Sequence, residues 1–329
     1  MSELRPVCII ILAWNGLEYT RRCLETLRES TIFPDYRVIL VDNGSTDGTA
    51  DYAKTLGWVE LIRNEENVGF VRGNNMALKR CAKECDVILL NNDTEIVQPN
   101  WISEMQKTAY NAPDTGIVGC RLRRTNGMLQ HAGAYMPPTY WGQQFGSNEQ
   151  DINQYNSDRD VDIVVFACAY LKREVLDRLG LLNEEYISYF EDADYCFNAR
   201  KAGYRTVCCG SVTVVHHENV STAINGVRLN DVFEKSAAVF RKHWKAGVEE
   251  RYQWALDWHS IVNFETGYGI SSKQLMLAMD RLGAKVAYKY VYGWGTPFPV
   301  PEKEASDNYM LNVIRNRTFG ESRVQVVYA

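Results

Sequence analysis

The chain of 329 residues has room for one large α/β domain with an appendage, or for two domains, and its 46% hydrophobic and 23% charged residues are those of an ordinary globular protein. A net charge of −5 argues against a dedicated nucleic-acid binder, which needs a basic face, yet leaves room for a local basic cleft. No apolar stretch approaches the roughly 20 residues that cross a bilayer, and Val7 to Leu12 is too short for the apolar core of a signal peptide.

Val7 to Leu12 reads as a buried strand running into the turn Ala13-Trp14-Asn15-Gly16, and Leu17 to Ser30 has helical spacing. Arg37 to Val41 is a second strand, ending in Asp42-Asn43-Gly44-Ser45-Thr46-Asp47-Gly48-Thr49 ahead of a helix to about Leu56. Val59 to Ile62 is a third. A Gly/Asn-rich segment, Asn67 to Asn75, then opens a helix carrying Met76 to Lys83. The run Val87-Ile88-Leu89-Leu90 stops abruptly at Asn91-Asn92-Asp93-Thr94, as a buried strand of a parallel sheet does. Four strands alternating with helices predict an α/β chain with a doubly wound, mostly parallel sheet.

Further on, the spacing predicts strands at Gly116 to Cys120, Val161 to Ala167, Arg205 to Cys209 and Val212 to Val215, the last ending at His216-His217. Helices are expected at Arg173 to Leu179, from Glu191 to the C-terminal glycine Gly203, at Arg228 to Trp244 and at Glu249 to Val262. Between Asn126 and Asn156 the chain is loop-like, and a loop of that length is usually functional. Its Tyr135, Tyr140, Trp141 and Phe145 offer faces for sugar stacking or simply pack the loop. Nine scattered cysteines, without zinc spacing, read as reduced thiols in the cytoplasm.

Three carboxylate positions carry chemistry. Asp42 and Asp93 share one address, the carboxyl end of a parallel strand, where ligands of open α/β sheets bind. Asp42 is placed to take hydrogen bonds from a base or ribose, since Ser45, Thr46 and Asp47 already supply helix caps. Asp93, if it is more than a cap, could hold a metal-bound diphosphate together with a histidine, as Mn²⁺ or Mg²⁺ is often held by one or two protein ligands plus substrate oxygens. Whether His216 or His217 faces the cleft stays open, because successive strand side chains point to opposite faces. Glu191-Asp192 opens a helix, where the dipole favours ionised carboxylates by roughly 0.3–1 kcal/mol. That suits a general base, though favourable first-turn charge explains it as well.

Taken together these segments resemble glycosyltransferase family 2, the inverting transferases of the GT-A fold. The resemblance rests on Val41 to Thr49, on Asn67-Val68-Gly69-Phe70 with Gly73-Asn74-Asn75, on Leu89 to Thr94, on Phe190 to Cys196 with Arg200 and Gly203-Tyr204, and on Val215-His216-His217, over residues 5–245. It implies that Ala13, Asn15 and Asp42 hold the base and ribose, and that Arg72, Asn74 and Asn92 lie near the nucleotide sugar. It makes Asp93 the metal carboxylate of an Asp-x-Asp motif whose first member is here Asn91, and His216 a second ligand for Mn²⁺ or Mg²⁺. Asp192 becomes the base that deprotonates the acceptor, with Glu191 orienting acceptor or base. Asn91, as a neutral amide, loosens the expected metal dependence. The Asn-Asn-Asp-Thr variant and Gln130-His131-Ala132-Gly133 are most similar to transferases of bacterial rhamnose-containing surface polysaccharides, which implies a dTDP-rhamnose or UDP-sugar donor and a glycan or lipid-linked acceptor. The implied place is the cytoplasm, at the inner face of the membrane if the acceptor is lipid-linked. Peripheral membrane association and a homo-oligomer stay open. A sugar-1-phosphate nucleotidyltransferase is the rival class, but Ala13-Trp14-Asn15-Gly16 lacks its Gly-rich, basic triphosphate grip. A non-catalytic nucleotide-sugar-binding partner domain is the other, favoured by Asn91 and opposed by Glu191-Asp192.

The expected domains are residues 1–264, with a nucleotide-binding half to about 125 and an acceptor half from 126, and a mainly helical extension at 265–329. Gly267 to Ser272, the helix Lys273 to Leu282 and the strand Lys285 to Val291 resemble the opening of a second glycosyltransferase domain, of GT-B type. The reading is that this is a truncated beginning, or a remnant, of such a domain.

Overall fold

A computed structural model describes residues 4–137, 140–218, 220–250, 254–260, 266–290, 314 and 324–328. The N-terminal half alternates as its apolar runs require: β1 (Val7–Ala13), α1 (Leu17–Ser30), β2 (Tyr36–Asn43), α2 (Thr49–Lys54), β3 (Val59–Asn64), α3 (Phe70–Leu78), β4 (Asp86–Asn91), the short β5 (Thr94–Ile96) and α4 (Trp101–Tyr110). Then come β6 (Thr115–Arg123), β7 (Leu129–His131), β8 (Ala134–Tyr135), β9 (Gln143–Gln144), β10 (Arg159–Val161), β11 (Cys168–Leu171), α5 (Arg173–Leu179), α6 (Glu191–Lys201), β12 (Arg205–His216), α7 (Val220–Ile224) and α8 (Leu229–Glu250). β13 (Trp254–Ser260), α9 (Gly267–Arg281), β14 (Ala284–Tyr290) and β15 (Val324–Val327) complete the described elements.

The main sheet has the order β10-β12-β6-β11-β4-β1-β2-β3, with β5 added to β12 and β7 to β6. β3, β2, β1 and β4 are mutually parallel, and β6 and β12 are parallel to each other. β11 runs antiparallel between β4 and β6. β1 is buried almost throughout, with Cys8, Ile9, Ile10 and Ile11 at 0% exposure, as expected for a strand covered on both faces. One face packs on Leu24, Leu27, Trp101, Ile102 and Met105 of α1 and α4. On α3, Gly73 is required by close approach, because a Cβ there would lie 2.5 Å from Leu12 Cδ1.

Several elements differ from expectation. α3 begins at Phe70, six residues before the expected Met76, because Gly69 at φ 89° makes the turn and the Gly-Asn-Asn run lies inside the helix. Of the strand expected at Val161 to Ala167 only Val161 is in a strand, the end of β10; the remainder is irregular chain, and β11 starts one residue later at Cys168. The two strands expected around Cys209 and Val212 are one, β12, whose register against β6 shifts between Cys209 and Thr213. Glu249 to Val262, expected as a helix, contains strand β13, and the alternation of Leu256 and Trp258 with Asp257 and His259 is the period-2 signal that a helical reading overlooks. Val262 and Val291 lie outside the described residues.

The chain divides into two compact units, Met1–Ala134 with Gln144–Phe240, and Tyr135–Gln143 with Arg241–Ala329. The division falls within α8 rather than at residue 264. In the second unit β14, β13 and β15 form a parallel three-stranded sheet, in which β14 is the strand expected from Lys285 and β13 and β15 are additions to the expectation. Leu256, Trp258, Met276, Leu277, Val286, Tyr288 and Ile314 give that unit its own apolar cluster.

At the far end of β4 from Asp93 the main sheet is pinned by Asp86, fully buried, which accepts hydrogen bonds from Tyr170 Oη (2.5 Å), Tyr110 Oη (2.9 Å) and Arg173 N (2.7 Å). Replacing it takes this acceptor from the buried Tyr170 hydroxyl, at about 1–3 kcal/mol, and from Arg173 N, while Tyr110 is exposed and can turn to water. Asp86→Ala is expected to cost about 2–4 kcal/mol of stability. A thermal unfolding curve within a degree of the wild-type curve would contradict this.

Candidate active site

Parallel pairing brings three strand ends level: Ala13 of β1 lies opposite Asp42 of β2, and Leu12 lies opposite Asn91 of β4. Ala13 and Asp42 are both fully buried. The Ser45 backbone N donates to Asp42 Oδ1 (3.2 Å), while Oδ2 takes no hydrogen bond from the described residues, its nearest cation being Arg63 Nε at 3.5 Å. A buried carboxylate oxygen left open is what a ligand N–H or O–H would satisfy. Asn15, at φ 57°, is held by both ends: its backbone N donates to Ser45 Oγ, and its Oδ1 accepts from Thr46 N, each at 2.8 Å. Its Nδ2 donates to Asn225 Oδ1 (2.6 Å), and Asn225 Nδ2 reaches Trp14 O (3.2 Å). Asn225 gave no signal in the sequence.

Beyond β4, the antiparallel pairing of β5 with the end of β12 sets His216 opposite Thr94. His216 Nε2 then lies 3.1 Å from Asp93 Oδ1 and 3.5 Å from Asn91 Nδ2. Burial by itself pushes the Asp93 carboxyl up, but His216, with two backbone N–H donors, outweighs it and holds Asp93 below the usual carboxylate range. His217 points elsewhere, with its Nε2 2.8 Å from Glu95 Oε1, which also pairs with Arg22. Of the two histidines, His216 is therefore the one beside Asp93, as strand alternation requires. Among the described residues no group of three or more His, Cys, Asp or Glu surrounds one point. A cation here would have Asp93 and His216 as protein ligands and would complete its shell from a ligand's own oxygens, the usual arrangement for Mg²⁺ or Mn²⁺ at diphosphates. An ionised carboxylate beside an imidazole nitrogen fits that role.

The acidic pair approaches the same sheet edge by another route. Asn91 N donates to Ala167 O (2.9 Å), which joins the end of β4 to the segment before β11, and the backbone N–H of the neighbouring Phe166 is among the groups that act to lower the Asp192 carboxyl. α6 starts behind two consecutive left-handed residues, Tyr189 (φ 67°) and Phe190 (φ 65°). Such backbone costs roughly 1–2 kcal/mol per bulky residue. Ring packing offsets it, since Phe190 lies 4.9 Å from Phe233 and 5.4 Å from Phe240 between centroids. Asp192 is half-buried, and burial raises its carboxyl to about 6 despite bonds from backbone N–H groups. Glu191 is buried, with Oε2 unbonded among the described residues, and burial and then the Asp192 charge push it well above the normal range. Two adjacent carboxyls thus differ: Asp192, raised to about 6, is ionised at neutral pH and can accept a proton, while Glu191 is pushed further towards its protonated form.

Other residues assigned by resemblance are engaged within the protein. Arg72 is exposed and pairs with Glu184 at 3.4 Å. Asn74 donates to Phe70 O within its own helix, and Asn92 donates to Thr20 Oγ1 of α1, both at 2.9 Å, so these buried amides serve the fold. Asn75 clamps the backbone of Leu182 from both sides, at 2.9 Å each, steadying the segment that leads to Tyr189. Ser45 and Gln130, which accepts from His216 Nδ1, are contacts that the sequence did not assign.

A mostly parallel sheet with a buried carboxylate after its second strand, a carboxylate–histidine pair after the fourth and an acidic helix start is an arrangement of the GT-A type. Residues 8–180, more than half of the chain, match the family model described as Glycosyl transferase family 2, and the chain belongs to that family. It is 28% identical over 242 residues to the O-antigen biosynthesis protein RfbC of Myxococcus xanthus, covering 70% of this chain and 19% of that protein. It is 25% identical over 263 residues to an N-acetylglucosaminyl-diphospho-decaprenol L-rhamnosyltransferase of Mycobacterium tuberculosis, covering 73% and 84%. The chain spans only about a quarter of the length of another relative, the uncharacterized protein y4gI of Sinorhizobium fredii (29% identity, 73% of this chain, 27% of that one). In fold it is similar to the Pyrobaculum calidifontis mannosyltransferase PcManGT solved with GDP-Man and Mn²⁺ (TM-score 0.52, 16% identity, 95% and 82% covered). It is likewise similar to GalNAc-T7 solved with UDP, GalNAc and Mn²⁺ (TM-score 0.55, 14% identity, 66% and 44% covered).

The raised Glu191 carboxyl has a consequence for stability. A carboxyl whose folded value lies above its unfolded value stabilises the fold fully only below the unfolded value, and that contribution is lost as pH rises towards the folded one. Glu191→Gln has no proton to lose, so its melting temperature should gain on the wild type as pH is raised from about 4.5 to 8. A melting-temperature difference that is flat with pH would show that Glu191 is not held protonated.

Proposed function

We propose that this domain is an inverting glycosyltransferase that moves a sugar from a nucleoside-diphosphate sugar to a hydroxyl of a glycan or lipid-linked acceptor in bacterial surface polysaccharide synthesis. The observation that carries the proposal is that the Asn91–Ala167 hydrogen bond fastens the strand end beside Asp93 and His216 to a segment whose next backbone N–H, that of Phe166, acts to lower the Asp192 carboxyl. Ala13, Asn15 and Asp42 lie at the adjoining strand ends and take the base and ribose, Asp42 through its open Oδ2. Asp93 and His216 hold Mn²⁺ or Mg²⁺, which when bound offsets the charge of the leaving diphosphate.

Asp192 takes the proton of the acceptor hydroxyl. The freed oxygen forms its bond to the anomeric carbon as the bond from that carbon to the diphosphate oxygen breaks, and the electron pair leaves with the nucleoside diphosphate. Attack opposite the leaving group inverts the centre. Glu191, the residue before it, orients the acceptor or Asp192. The rhamnosyltransferase and O-antigen names among the relatives favour dTDP-rhamnose, with UDP-sugars as the other donors to try.

Release of free dTDP or UDP from a panel of nucleotide sugars with Mn²⁺ tests the reading. Asp192→Asn should lower transfer by about 10²–10⁴-fold, the usual worth of a general base, while nucleotide binding persists. In the wild type kcat/KM should rise with pH through about 6, because only ionised Asp192 accepts a proton. Full turnover by Asp192→Asn, or a rate flat from pH 5 to 7, would remove Asp192 as the base.

A further inference from the structure

Gln130, the first residue of the Gln-His-Ala-Gly run, has no part in the chemistry above, although its side chain touches the site. β7 pairs antiparallel with the carboxyl end of β6, His131 opposite Leu122 and Leu129 opposite Arg123. From it Gln130 Oε1 reaches His216 Nδ1 at 2.7 Å. A carboxamide oxygen only accepts, so the ring proton sits on Nδ1. Nε2, the nitrogen facing Asp93 Oδ1 at 3.1 Å, is then bare in the neutral ring and protonated only in the charged ring, the form in which His216 holds Asp93 down. Without Gln130 the nearest strong acceptor for a ring proton is Asp93 itself, and an Nε2–H bonded to Asp93 cannot ligate a cation. The carboxamide therefore opposes the one tautomer that would close the site.

The rest of the run fixes Gln130 in place. His131 is buried, accepts from Val165 N at Nε2 (3.4 Å) and pairs through Nδ1 with Gln144 Oε1. Gly133 is left-handed at φ 88°, and a Cβ there would fall 2.4 Å from Val161 Cγ1, so only glycine lets the chain pass. β7 cannot slide without breaking both contacts.

We propose that Gln130 is a positioning residue that holds His216 as the Nδ1–H tautomer, with Nε2 presented to a divalent cation at Asp93. This rests on the reading of His216 as a metal ligand. Outer partners of this kind typically alter metal affinity by 10–100-fold.

The test uses the full chain with two replacements, Gln130→Met, which keeps the length and removes the acceptor, and Gln130→Glu, which keeps an acceptor oxygen. With ¹⁵N-labelled histidine, the five rings can be assigned by single substitution and their tautomers read by NMR without any metal. The wild type and Gln130→Glu should show the proton of His216 on Nδ1, and Gln130→Met should lose that preference. Mn²⁺ binding, read by EPR with dTDP and separately with UDP, should weaken 10–100-fold in Gln130→Met and stay within a few-fold in Gln130→Glu. An unchanged His216 spectrum with wild-type Mn²⁺ affinity in Gln130→Met overturns the inference while leaving the proposed function standing. A wild type that holds no Mn²⁺ with either nucleotide refutes the metal-ligand reading and the inference with it. Equal loss in both variants would mean that the amide N–H₂, not the oxygen, faces His216, and would also overturn it.

Discussion

The parallel register of β1 between β2 and β4 is the constraint on which the rest of this site depends. These strands are buried on both faces, so a slip of one residue would exchange every inward side chain and is strongly disfavoured. The register puts Ala13 beside Asp42 and Leu12 beside Asn91, and so forces three loops to leave the sheet at one level. The Asn15 turn, the Ser45 turn and the Asn91–Asp93 turn then share one crevice. Asn15 and Ser45 lock two of these together directly.

The second half of the site is fastened to that edge by non-local pairings. β5 is only three residues long, yet its pairing with β12 carries His216 to Asp93 across more than a hundred residues of sequence. β11 inserts antiparallel next to β4, and its approach segment supplies Ala167 O to Asn91 and the Phe166 N–H that acts to lower the Asp192 carboxyl. Asn75 and the Ile187 carbonyl, which accepts from Phe70 N at 2.9 Å, secure the chain that enters α6. The strained Tyr189-Phe190 step is tolerated because Phe233 and Phe240 cover it. Strain of this kind at the start of α6 aims Glu191 and Asp192 where an unstrained turn would not.

Electrostatically the two halves are opposites. Asp93 has a histidine and backbone N–H groups to sustain its charge in a buried place, which suits a cation ligand. Asp192 has backbone donors alone and Glu191 fewer still, so burial dominates and both are raised. A carboxylate near 6 is ionised at neutral pH and still basic enough to take a proton in a transition state. Two aspartates are thereby shifted in opposite directions by their surroundings, as the proposed roles of ligand and base require.

The chain's apolar runs and their abrupt polar ends determined the doubly wound half of the fold and the placing of Asp42 and Asp93, since a strand buried on both faces announces its own end. The motifs likewise marked Glu191-Asp192 and the histidine pair. Sequence could not choose between His216 and His217, and the strand pairing did so by turning one side chain to Asp93 and the other to Glu95. Nor did it show that Asn74 and Asn92 each donate within the protein, to Phe70 O and Thr20 Oγ1. β11 escaped because a short apolar run carries no period that separates strand from helix, whereas the alternation in β13 was legible but lay in a segment read as helical. The contacts of Gln130 and Asn225 were decided by tertiary structure alone, because each joins residues 86 and 210 positions apart and no local pattern encodes a hydrogen bond over such a distance.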